Sequence, residues 1–156
     1  MSKPDVKAFF DEDTFTISYV VSDPGTHRAV IIDPVRDYEP KSGRTGTSSA
    51  DAMIEFIKDA GLQVDWILET HVHADHLSGA PLIKKALGGE IAIGRKVGTV
   101  QNVFRTIFNI DDLPADGSLG DLQFRRGPRE VEVPGRRLEG YQRIGWRQSS
   151  TQRSHY

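Results

Sequence analysis

Short apolar runs broken by turn-forming residues fill the chain as far as about Ser118. Residues 14–21 (TFTISYVV) and 29–33 (AVIID) are strand-like, and the segment SDPGTHR between them turns the chain, so the pair predicts a hairpin. A polar stretch, RDYEPKSGRTGT, follows. The spacing then changes. In SSADAMIEFIKDAG, Ala52, Ile54, Phe56, Ile57 and Ala60 give a mostly apolar helical face, with Ser48 or Ser49 able to cap its start and Gly61 beyond its end. Residues 64–70 (VDWILET) predict a short, largely buried strand, APLIKKALGG a second helix stopped by glycine, and EIAIG another strand. Strands alternating with helices indicate an α/β protein.

Between the buried strand and the second helix lies THVHADH, which places three of the five histidines within six residues. Loops at strand ends converge on one crevice in α/β proteins, so this is a favourable place for ligand-binding groups. His71 and His73 alternate across one residue. In an extended backbone both side chains leave on the same side, and two imidazole nitrogens can reach one cation at about 2.0–2.1 Å. Asp75 and His76 come at the turn into the helix and can serve a second cation beside the first. The candidate metal ligands are therefore His71, His73, Asp75 and His76, and Asp75 is also the candidate catalytic carboxylate. Asp33, ahead of Pro34, is a candidate for orienting a ligand from behind, or for capping its loop. His27 and His155 lack such surroundings and read as plain surface residues.

Composition narrows the possibilities. The 156 residues suffice for one core, and a net charge of -2 creates no field favouring nucleic acid or an anionic membrane. No apolar run approaches the roughly 20 residues that span a bilayer, and the charged start lacks the apolar segment of a signal peptide, so a cytoplasmic location is expected. Cysteine is absent, which leaves imidazole and carboxylate to hold any metal.

THVHADH resembles the HxHxDH motif of the metallo-β-lactamase superfamily. The hairpin ending in IIDP, the SGRTGT loop, the helix and LETHVHADHLSGA together are similar to its persulfide dioxygenase and glyoxalase II branch, over residues 5–117. The resemblance implies an αββα sandwich with a metal site at one edge. It also implies iron or zinc as the cofactor and a thiol-derived small molecule, such as a glutathione conjugate, as the partner. In dinuclear members the residues matching His71 and His73 hold one metal and those matching Asp75 and His76 the other; in persulfide dioxygenases only the residue matching His71 binds the single iron directly. The branch continues with a TPGHT-like segment, a bridging aspartate and often a last histidine, none of which appears here.

The texture changes again after Ser118. All eight basic residues of 119–156 are arginine, whereas the first 117 residues hold seven lysines and five arginines. The expectation is an incomplete, N-terminal-half domain at 1–118, followed by an atypical tail at 119–156 that is poorly ordered or loosely packed. A frame change explains that tail better than a natural basic arm. A half-sandwich would expose an apolar sheet face for a second copy to cover, so a homo-oligomer enters as a partner. With at most two ligands for each of two cations, weak metal binding and little turnover are expected unless another chain completes the site.

Overall fold

The computed structural model describes residues 3–73, 76–94 and 96–109, and the backbone of four later strands. Its elements begin with β1 (Asp5–Asp11), β2 (Thr16–Asp23), β3 (Arg28–Ile32) and three two-residue strands, β4 (Val35–Arg36), β5 (Tyr38–Glu39) and β6 (Arg44–Thr45). Next come α1 (Ser48–Asp59), β7 (Gln63–Glu69), β8 (Leu77–Ser78), α2 (Ala80–Leu87), β9 (Glu90–Gly94) and α3 (Val97–Phe108). The later strands are β10 (Leu122–Gln123), β11 (Glu130–Val133), β12 (Arg136–Glu139) and β13 (Tyr141–Trp146).

Seven strands form one sheet in the order β1-β2-β3-β7-β9-β13-β10. The expected hairpin is β2–β3, pairing Tyr19 with Ile32 and Val21 with Val30; β1 adds to it antiparallel. β3, β7 and β9 run parallel, linked through α1 and α2. Their carboxyl ends therefore lie side by side at one edge. That juxtaposition brings Asp33, just after β3, next to the histidine run just after β7. β13, from the arginine-rich segment, pairs antiparallel with β9. Apart from the backbone of β10 to β13, the tail, with the side-chain packing on which the expectation of loose packing turns, and His155, expected at the surface, lie outside the described residues.

Strand alternation sorts the side chains. Val20, Ala29, Ile31, Val64, Ile67, Ile91 and Ile93 face the helices, where Ala50, Met53, Ile57, Ala80 and Ile83 close the core. Burying one such isoleucine is worth about 1.5–3 kcal/mol. The α1 stripe is Ala50, Met53 and Ile57 with Ile54 and Phe56 at its margins, whereas Ala52 and Ala60, expected on that face, are exposed. On the opposite sheet face Leu68 and Ala92 are buried, with Val30 and Trp66 packed against them.

The cap of α1 also differs from expectation. Asp37, eleven residues upstream of Ser48, accepts from Ser48 N at 2.7 Å and Ser49 N at 3.0 Å, doing what either serine hydroxyl was expected to do. Gly46 permits this approach, because a Cβ there would lie 2.7 Å from Asp37 Oδ2. Burial pushes the Asp37 carboxyl up, but hydrogen bonds from Ser49 and Ser48 outweigh it and hold the group below its ordinary value.

Candidate metal centre

The site is built where β3 and β7 end. Asp33 sits in left-handed backbone at φ 48°, which aspartate tolerates better than most residues, and its N–H donates to Leu68 O at 2.9 Å. So turned, its carboxylate meets β7's end: Thr70 N donates to Oδ1 at 2.7 Å and Thr70 Oγ1 to Oδ2 at 2.6 Å. His73 Nε2 lies 2.9 Å from the same Oδ1. Burial raises the Asp33 pKa, but the bonds from His73 and Thr70 prevail and lower it.

The structure brings His71, His73 and His76 together, with ring centroids 4.1 Å apart between His71 and His73 and again between His73 and His76. His71 is exposed, and its Nδ1 is 2.8 Å from Thr70 Oγ1. His76 is buried, with Thr16 Oγ1 3.5 Å from its Nδ1. Asp75, the other expected ligand and candidate catalytic residue, lies outside the described residues. His27 is exposed, in a left-handed turn position at φ 57°.

One residue of the site had not been singled out. Glu69, the last residue of β7, is buried on the helix-facing side; its Oε1 accepts from Ser78 Oγ, and its Oε2 is 3.3 Å from His73 Nε2. The Glu69 contact is an ion pair rather than a well-formed hydrogen bond. A carboxylate directly after the apolar stretch Trp66, Ile67 and Leu68, four residues before a histidine of the run, was the available signal. Burial pushes His73 down, yet the pull of Asp33 and Glu69 prevails and raises its pKa to about 9. The surroundings of Nε2 thus favour positive charge.

Donor atoms of Asp33, His71 and His73 lie within 4.8 Å of one another, a spacing near what a cation with bonds of about 2.0–2.2 Å requires. Asp33 is better suited to orienting than to binding, since its two oxygens already serve three donors. Three crowded imidazoles above two carboxylates, with no thiol anywhere in the chain, fit iron or zinc.

Residues 12–141 match the family described as the metallo-beta-lactamase superfamily. The chain belongs to the metallo-β-lactamase superfamily. A probable metallo-hydrolase of Burkholderia pseudomallei is 55% identical over 117 residues, covering 74% of this chain and 40% of that protein. Glyoxylase B2 of Dictyostelium discoideum is 39% identical over 125 residues, 79% of this chain and 43% of that protein. The human mitochondrial persulfide dioxygenase ETHE1 is 30% identical over 84 residues, 54% of this chain and 29% of that protein. The chain thus spans less than half the length of each of these superfamily relatives. Among solved structures, the B3 metallo-beta-lactamase BLEG-1 aligns with a TM-score of 0.53 at 18% identity, covering 91% of this chain and 66% of that one, a likeness of fold. Members of the superfamily are metal-dependent hydrolases or dioxygenases. No helix among the described residues is long and apolar enough to cross a membrane.

Proposed function

We propose that this chain carries the metal-holding segment of a superfamily enzyme that oxidises a glutathione-type persulfide, with iron as the metal. The observation that carries the reading is the packing of His71, His73 and His76 ring against ring over the Asp33 and Glu69 carboxylates. On this reading His71 would hold the iron directly, as in persulfide dioxygenases, and an imidazole and carboxylate environment of this kind suits ferrous iron with open positions. A bound iron would supply redox chemistry for oxygen and a persulfide sulfur held side by side. The residues of the chain do the rest: Thr70 orients His71 through Nδ1, Asp33 and Glu69 orient His73, and Thr16 touches His76.

Thioester hydrolysis with zinc is the second reading. The similarity to a metallo-hydrolase and to a glyoxylase, which extends over more of the chain than the persulfide dioxygenase match, favours it. On that reading His71 and His73 would both hold the cation, and these donors would keep it acidic enough to activate water near neutral pH.

The test measures metal content after dialysis, oxygen consumption with glutathione persulfide and hydrolysis of a glutathione thioester, in wild type and His71→Ala. Oxygen consumption abolished by His71→Ala supports the first reading. Thioester hydrolysis alone supports the second, and wild type retaining no more metal than His71→Ala refutes both.

A further inference from the structure

Glu69 has no part in holding the metal in either reading, yet it is placed with some care. It is 6% exposed, at the end of a strand whose preceding residues Ile67 and Leu68 belong to the core. A carboxylate is expensive to bury unless hydrogen bonds or charges compensate it. One oxygen is compensated, because Ser78 Oγ donates to Oε1 while itself accepting from Ala80 N, the first residue of α2, at 3.1 Å. The other, Oε2, is buried without a hydrogen-bond donor and lies 3.3 Å from His73 Nε2. Asp33 shares Oδ1 between that same nitrogen and Thr70 N, so its hold on the ring is divided.

We propose that Glu69 is a positioning residue for metal capture: it accepts from the Nε2–H of His73 together with Asp33, so that Nδ1 is the nitrogen offered to the cation. A metal-ligating histidine characteristically donates its second ring N–H to a carboxylate, which fixes both tautomer and ring orientation. Here two carboxylates converge on one nitrogen, one tied to β3 and the other, through Ser78, to the start of α2. A cation taken at Nδ1 would displace that nitrogen's proton to solvent, leaving Nε2–H as the ring's donor and giving Glu69 Oε2 the partner that its burial calls for. The inference rests on the second, hydrolytic reading above, in which His73 is a metal ligand.

The experiment titrates Co(II) into the purified chain and into Glu69→Leu, Glu69→Gln and Ser78→Ala, following the visible absorption of the bound ion. Glu69→Leu should weaken Co(II) binding about 10–100-fold and change the band shape, as loss of such an orienting partner does. Glu69→Gln keeps an acceptor towards His73 and should recover most of the affinity; Ser78→Ala, which only frees the carboxylate, should fall between. In the zinc-loaded wild type, imidazole nitrogen–proton spectra should place the His73 proton on Nε2. That measurement checks the tautomer even if Glu69→Leu fails to fold, and Glu69→Gln and Ser78→Ala then separate the part of Glu69 from that of Asp33. A His73 proton found on Nδ1, or wild-type affinity and band shape in both Glu69 variants, overturns the proposal alone. Failure of the wild type to take up either ion overturns the metal reading and this proposal with it.

Discussion

Replacing Asp33 by alanine removes one acceptor from three donors at once: Thr70 N at 2.7 Å, Thr70 Oγ1 at 2.6 Å and His73 Nε2 at 2.9 Å. Hydrogen bonds to a charged partner are worth about 1.5–3 kcal/mol each, so a plain sum is about 4.5–9 kcal/mol. Thr70 is exposed, and water takes over at its two donors, which cuts their share severely. The part-buried contact to His73 keeps most of its value. A loss of about 3 kcal/mol is the result, a large part of the roughly 5–15 kcal/mol that holds a domain folded. Asparagine keeps one acceptor oxygen and tolerates the left-handed backbone, so Asp33→Asn should cost about 1 kcal/mol. Urea unfolding of the metal-free chain at pH 7, followed by far-ultraviolet circular dichroism, measures both. If Asp33→Ala loses less than about 0.5 kcal/mol, within the scatter of ordinary surface changes, Thr70 and His73 have found other partners and the reasoning fails.

Gly79→Ala puts a Cβ 2.6 Å from Val35 O, where only backbone can yield, and should cost about 1–3 kcal/mol in thermal or urea unfolding; a neutral outcome would mean that the β4–β8 contact is loose. Ile67→Ala, at a side chain with no exposure, should lose about 2–5 kcal/mol in the same assay. Asp37→Ala should cost about 1 kcal/mol at neutral pH through the lost cap of α1. The Asp37 carboxyl is lowered in the folded chain, so its contribution is complete above the unfolded value near 3.8 and is lost as pH falls below it. The stability gap between wild type and Asp37→Ala should therefore close in acid, and a gap that holds constant from pH 7 to pH 2.5 would contradict the cap.

Much of this architecture was legible because its elements bury one side. The β2–β3 hairpin, α1, β7, α2 and β9 all carry the period of the face they hide, so pattern located them to within a residue or two. β1 was not legible: an edge strand whose residues are mostly exposed, it reads as a charged leader. α3 escaped for the opposite reason. It buries Val97 and Gln101 while exposing Val100, Val103, Phe104, Ile107 and Phe108, so its apolar residues mark no covered face among the described residues. Within the site, THVHADH announced its imidazoles, and IIDP announced Asp33. Glu69 stayed hidden because nothing in a linear sequence tells whether the carboxylate at a strand's end turns to water or to the core. The same limit applies to Asp37, whose capping role depends on a loop that folds back over eleven residues.

The parallel pairing of β3 with β7 also dictates when the metal centre can exist during folding. Asp33 lies 40 positions before His73 and 37 before Thr70, and the two strand ends meet only after α1 has crossed between them. Non-local pairing of this kind is slow, because loop closure has to precede any favourable contact. Until then the histidines occupy an open segment without the carboxylates that orient them, so they hold a cation poorly. Capture therefore follows sheet assembly instead of seeding it. Refolding traces recorded with and without zinc should share one rate-limiting phase, the ion acting on the rate of unfolding.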